Sequence, residues 1–245
     1  MARKSKIAAF FLLALLLFSC DSGKHAEEDN VFEKLQHSRG FLNGPELKKL
    51  DSDYALKLLD QFDFSGYDSE DTLAYFVRSG SYIWIASCYI GENNEDNPFF
   101  CLKQTPEKQF RLIQHGMIPA ALGECSYDLD KLLSLAGNYV IVSQKANGSA
   151  YCEDSPLVYT VDGKEISWDK RPQLILWHCE EDVQPINCYE RTFDYVFRDG
   201  FLSVHVKERI LDEESRLETG KQEYDLRYSQ EDDKLVFKDT VRKSL

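Results

Sequence analysis

The chain has 245 residues, with 42 acidic against 29 basic side chains and a formal net charge of −13. Apolar residues make up 43% and aromatic ones 13%, enough to fill a packed interior and too much for wholesale disorder. So acidic a surface repels the phosphates of nucleic acid and of anionic lipid headgroups, and it suits cationic partners and simple solubility equally.

At the N-terminus, Arg3, Lys4 and Lys6 precede twelve apolar residues, Ile7 to Phe18, followed by Ser19, Cys20 and Asp21. The run is shorter than the ~20 residues a spanning helix needs; with cations before it and a small residue after it, it reads as an export signal. Leu17-Phe18-Ser19-Cys20 resembles the lipobox of bacterial lipoproteins, with Phe18 where that family prefers a small or aliphatic residue. The resemblance implies cleavage after Ser19, acylation of the Cys20 thiol, and a domain held outside the cytoplasm at a membrane of the cell envelope. Two or three acyl chains, at ~0.8 kcal/mol per buried methylene, make such attachment stable. Residues 1–19 are then the signal peptide, 20–31 the lipidated N-terminus with a polar, flexible tether, and 32–245 a single α+β domain. Removing the signal takes the net charge from −13 to −16, because it carries the three cations.

Past the tether, Asn43-Gly44 and Pro45 open a helix-like stretch, proline being suited to a first helical turn. Leu47, Leu50, Tyr54 and Leu58 recur at spacings of three and four, Leu59 and Phe62 widen the stripe, and Phe64-Ser65-Gly66 ends it. Thr72 to Arg78 fits strand or helix; the Ser79-Gly80 turn and the β-rich Ser81 to Cys88 favour a hairpin. Asp128 to Leu135, with Gly137 as its stop, is a second expected helix.

From Asn138 onward, strands and tight turns alternate. Tyr139 to Val142 leads toward Asn147-Gly148; Leu157 to Val161 meets Asp162-Gly163 and then Lys164 to Trp168. Thr192 to Phe197 meets Asp199-Gly200 and then Phe201 to Lys207, and Glu223 to Tyr228 is joined to Lys234 to Lys238 by Ser229 to Asp233. Asn-Gly and Asp-Gly are hairpin signals because both central residues of a type I′ turn need positive φ. Leu202, Val204 and Val206 face one way while Ser203, His205 and Lys207 face the other, so one face is packed and one wet. The pattern, strongest from 138 to 240, predicts a predominantly antiparallel meander forming a curved sheet, an open barrel or a sandwich.

Apart from Cys20 there are six cysteines: Cys88, Cys101, Cys125, Cys152, Cys179 and Cys188. An even count in an exported chain suggests three disulfides, and no CxxC spacing supports a redox motif or a zinc knuckle. Cys88 and Cys101 flank one loop and Cys179 and Cys188 another, which favours these two pairs and leaves Cys125 with Cys152. Free buried thiols are the alternative.

Catalytic patterns are sparse. Neither GxSxG, HExxH nor a Walker loop occurs, and nothing calls for a cofactor or a metal. Of the histidines His25, His37, His115, His178 and His205, the last lies on a polar strand face as a solvated side chain. His178 adjoins Cys179, but strand neighbours point to opposite faces, which rejects a dyad. Glu92 to Asn97 is oxygen-rich yet lacks the spaced ligands and turn glycine of an EF-hand loop. Tyr82, Trp84, Tyr89, Phe99 and Phe100 gather around the first cysteine pair. Tyr189, Phe193, Tyr195 and Phe197 share one side of a strand with Arg191, as core or as the lining of a ligand cavity. The expected function is a non-enzymatic, lipid-anchored envelope module for binding or assembly, its partners being the membrane and a cationic protein or a small apolar ligand. A barrel-like carrier of a lipophilic ligand, an inhibitor of a cationic enzyme, or a hydrolase with a serine or carboxylate pair beside His115 or His178 are the alternatives.

Overall fold

The computed structural model describes residues 31–43, 46–47, 72–89, 97–107, 109–119, 129–147, 151–172, 174–179, 187–212 and 214–243. The lipobox-like segment 17–20, most of the helix expected after Pro45, the Glu92 loop up to residue 96, Cys125 and Gly148 lie outside them, as do the side chains of Cys88 and Tyr89. The described chain is predominantly antiparallel β. Its helical parts are a turn at 31–34, residues 46–47, and a 3-10 turn at Leu129–Lys131.

The first sheet takes its strands in chain order: β1 (Arg39–Asn43), β2 (Thr72–Ser79), β3 (Tyr82–Tyr89), β4 (Asn97–Gln104) and β5 (Phe110–Ile118). The stretch 72–88 is thus a hairpin, turned at Gly80 with φ of 60°. The second sheet contains β6 (Leu133–Ala136), β7 (Tyr139–Val142), β8 (Lys145–Asn147), β9 (Tyr151–Asp154), β10 (Leu157–Thr160), β11 (Glu165–Trp168) and β12 (Leu174–Cys179). The long strands β13 (Asn187–Arg198), β14 (Phe201–Asp212), β15 (Glu218–Glu231) and β16 (Lys234–Arg242) complete it. Its order is β6-β7-β10-β11-β16-β15-β14-β13-β12-β9-β8, antiparallel throughout except for the parallel pair β11–β16.

That order hides a continuity. Only Ser143 and Gln144 separate β7 from β8, and only Ser155 and Pro156 separate β9 from β10. The Ser155 amide donates to the Gln144 carbonyl at 2.8 Å, carrying the ladder across the bend. One bent hairpin therefore supplies β8 and β9 at one end of the sheet and β7 and β10, next to the edge strand β6, at the other, and the sheet curls to bring the two pairs together. The meander from β12 to β16 forms the wall between them.

Three apolar layers follow from strand alternation. Tyr139, Ile141 and Val158 point into the curl with Ile166, Leu174, Leu202, Val204, Val206, Tyr228 and Leu235. Their neighbours Val140, Val142 and Tyr159 point the other way, onto Tyr75, Val77, Trp84, Phe99 and Cys101 of the first sheet. This is why all four residues of β7 are buried. The opposite face of the first sheet packs Ala74, Phe76, Ile83 and Ile85 against Val31, Leu35, Leu42 and Leu47.

Three expectations are corrected. Asp128 to Leu135 is no helix: after the 3-10 turn the chain becomes β6, paired with β7, and Gly137 (φ of 60°) opens the two-residue turn between them. Leu133 and Leu132 are buried by sheet packing where a helical stripe was read. Ser229 to Asp233 is mostly strand, with the turn confined to Asp232-Asp233 between Glu231 and its partner Lys234. Cys101 is a free, buried thiol. The ladder sets it opposite Trp84, four residues along β3 from Cys88, or ~13 Å at 3.3 Å per residue, well beyond the span of a disulfide. With Cys101 free, the six cysteines can form at most two bridges among themselves, and three are excluded. Cys179 and Cys188, directly opposite each other on β12 and β13, are bonded, and Cys152 is bonded too.

Candidate functional site

Where the two sheets meet, the wall of the curl is incomplete. β13 pairs with β14 along its whole length but with β12 only through Cys188, Tyr189 and Glu190. From Thr192 onward its second edge has no ladder partner among the described strands. β6, which pairs only with β7, comes up to that edge without joining it. Gly137 lies against the Phe197 ring there, so that a Cβ on it would stand 2.7 Å from Phe197 Cδ1. Away from this pinch the two edges border a cleft of about 620 Å³.

Its lining mixes charge and hydroxyl. Arg39, Lys131 and Lys145 supply cations, Asp130, Asp154 and Asp194 carboxylates, and Ser38, Ser134, Ser143 and Thr192 hydroxyls, beside Tyr75, Leu135, Phe193 and Tyr195. Asp154, at the end of β9, is buried, accepting from Ser143 Oγ at 2.8 Å and from the Gln144 amide at 2.9 Å. Burial pushes its carboxyl above the ordinary range, against the pull of those two bonds and of Lys145. Tyr195, on the inward side of β13, has a buried hydroxyl with no hydrogen-bond partner among the described residues. Burial first, and then the Asp154 charge, hold that phenol well above its usual value, so at neutral pH it is an O–H. The lining of the cleft thus includes a residue with an unused, buried donor, Tyr195, and a buried carboxylate, Asp154, under a rim of both signs. A buried polar group without a partner costs roughly 1–3 kcal/mol, so a polar group that reached Tyr195 would be held there by the bond it completes.

The histidines lie elsewhere. None is among the lining residues, and His37 and His115 are exposed. His178 stacks on Tyr189, ring centroids 4.8 Å apart, while its neighbour Cys179 is spent in the disulfide. His205 does occupy the outer face of β14, yet its side chain is only 14% exposed. It sits 2.7 Å from Asp225 Oδ1 and 3.7 Å from Glu223 Oε2, with Lys243 Nζ 3.0 Å away. It is a clamped side chain where a solvated one was expected, because the outer faces of β14, β15 and β16 carry opposite charges in register.

The aromatic stripe of β13 divides. Phe193 and Tyr195 pack on the core inside the curl and line the cleft, Tyr189 stacks on His178, and Phe197 stays exposed with its edge to Tyr139. Arg191, on the same side, bonds the buried Glu208 at 2.5 Å. In the first cluster, Trp84 and Phe99 fill the space between the sheets with Tyr159, and Trp84 Nε1 donates to the Val161 carbonyl at 2.8 Å. Cys101 lies in the same layer, its thiol pushed up to about 12 by burial and then by Asp162. Asp154 and Ser143 gave no sign in one dimension, being one carboxylate among many and one serine outside any motif. The Ser155-Pro156 step, a break between two strand-like runs, is the signal that marks the bend holding them.

Among the described residues, no group of three or more His, Cys, Asp or Glu is placed to hold a metal ion. No family model, curated protein or solved structure matches the chain.

Proposed function

We propose that this chain is a lipid-anchored cell-envelope protein, tethered through acylated Cys20, that works as a non-enzymatic binding module with the cleft between β6 and β13 as its ligand site. The observation that carries the binding role is a cleft of about 620 Å³, lined by both signs of charge, whose lining residue Tyr195 has a buried hydroxyl without a hydrogen-bond partner among the described residues. The nearest hydroxyl to a carboxylate there, Ser143, is buried and donates to Asp154, which suits a structural support for the floor better than a nucleophile. The interior of the curl is filled by packed side chains, which favours the polar cleft over an apolar lumen as the place of binding.

The anchor is tested with labelled palmitate in the bacterial host: Cys20→Ser should abolish incorporation and move the chain to the soluble envelope fraction, and unchanged labelling would overturn it. The binding role is tested on the purified chain by titrating a fluorescent fatty acid and a panel of small polar molecules and peptides. Saturable binding from the polar panel, lost on filling the cleft with Ser134→Trp, supports the role. Saturable uptake of the fatty acid alone would replace it with lipophilic transport.

A further inference from the structure

The cleft is bordered by two strand edges, and that restricts what fits it. A strand with one neighbour leaves the N–H and C=O of every second residue without a ladder partner on its other side. Edges of this kind are usually blunted by proline, by a bulge or by a covering loop. Here neither Leu133-Ser134-Leu135 of β6 nor Thr192-Phe193-Asp194-Tyr195 of β13 contains a proline, and neither pairing shows a register shift. Both tripeptide and tetrapeptide appear as consecutive residues along the walls of one cavity, so backbone as well as side chain faces it. At Gly137 and Phe197 the two edges come into contact, while Arg39 and Lys131 are among the residues lining the cleft.

We propose that the cleft takes an extended segment of a partner polypeptide, added as a strand along the free edges of β6 and β13. This rests on the cleft being the binding site. The four lining residues of β13 give the segment a length of ~13 Å, about four residues. Backbone pairing supplies recognition without regard to sequence, and the alternate side chains of the guest supply the choice. One of them, facing inward, meets the Tyr195 hydroxyl as a hydrogen-bond acceptor; an amide or hydroxyl side chain satisfies both it and Asp154. At the rim, Arg39, Lys131 and Lys145 stand with Asp130 and Asp194, a mixture that suits the alternating dipoles of a peptide better than a ligand of one sign. The partner is therefore a protein with an exposed, extended segment within reach of the membrane surface.

The experiment selects peptides from an immobilised random library on the purified full chain, then repeats the best binder with N-methyl groups on alternate residues. Methylation removes backbone donors of the ligand and leaves the protein untouched, so misfolding cannot mimic the result. The expected outcome is binding that falls about tenfold or more on methylation of one alternate set. Hydrogen exchange at the outward-facing amides of Leu133, Leu135, Phe193 and Tyr195 should slow on binding, and Tyr195→Phe, with its thermal unfolding unchanged or raised, should bind more weakly. Absence of any selected peptide overturns the proposal, as does a peptide indifferent to methylation. Should small polar molecules still bind in a Tyr195-dependent manner, only the strand reading falls and the cleft remains the site. Protection of the same amides on raising chain concentration without peptide would assign the edges to a second copy of the chain, again overturning it.

Discussion

Burial acts on Asp154 in a direction that solution measurements can isolate. Its folded-state pKa is raised above the unfolded value of about 3.9, so the native state holds the proton longer than the unfolded state does. Stability from this group is fully present below that value and is lost as pH rises toward the raised folded pKa. Asp239, Glu231 and Asp212 act with the opposite sign, because hydrogen bonds from Arg227, Lys238 and Ser215 hold their carboxyls low. The parent protein alone therefore mixes both trends. The difference between parent and Asp154→Asn separates them: in urea unfolding, the variant should gain on the parent as pH rises from about 4, then run parallel above the raised pKa. A difference that stays constant with pH would show that Asp154 titrates normally. None of this was readable from residue order, since one acid among 42 is singled out only by the bend that buries it.

At the scale of the element, legibility followed the locality of the cause. Asp199-Gly200 lies between directly paired Arg198 and Phe201 with φ of 53° and 81°, as a type I′ turn requires, and the residue types alone announce it. Asp162-Gly163 marks its turn too, but as part of the longer loop 161–164 between β10 and β11, with positive φ at Gly163 (98°) and not at Asp162. The β6 segment failed because Leu132, Leu133 and Leu135 satisfy a helical stripe as well as a strand, and the partner that decides, β7, lies beyond the turn. Gly137, read as a helix stop, is a turn residue pressed on Phe197. Gly137→Ala should therefore cost roughly 2 kcal/mol or more, through its left-handed φ and the 2.7 Å approach to the ring. The denaturation midpoint checks it; a loss as small as that of an exposed surface substitution would mean that the pinch between β6 and β13 is soft.

For the whole molecule, the curved antiparallel sheet was legible and its long-range order was not. Alternation in β14 assigned Leu202, Val204 and Val206 to one face correctly, since burial on a strand needs only period two. Nothing local says that β11 runs parallel to β16, or that β9 and β10 belong to opposite ends of the sheet. The cysteines show the same limit: loop flanking found Cys179–Cys188, where the strands are in register, and misjudged Cys101, where they are offset. Alkylation under native conditions should leave Cys101 unlabelled, its thiol buried and pushed up to about 12, and label it after denaturation without reductant. Rapid native labelling would show that the layer between the sheets opens readily. The parallel pair has a bearing on timing as well. Synthesis runs from the N-terminus, so β16 is made only after the four strands β12 to β15 that separate it in sequence from β11. Until Ser167 finds Lys234, the chain has bare strand edges on both sides and no finished wall. Closure of the sheet on the β11 side thus depends on a contact between strands far apart in sequence, which forms only after the intervening strands exist.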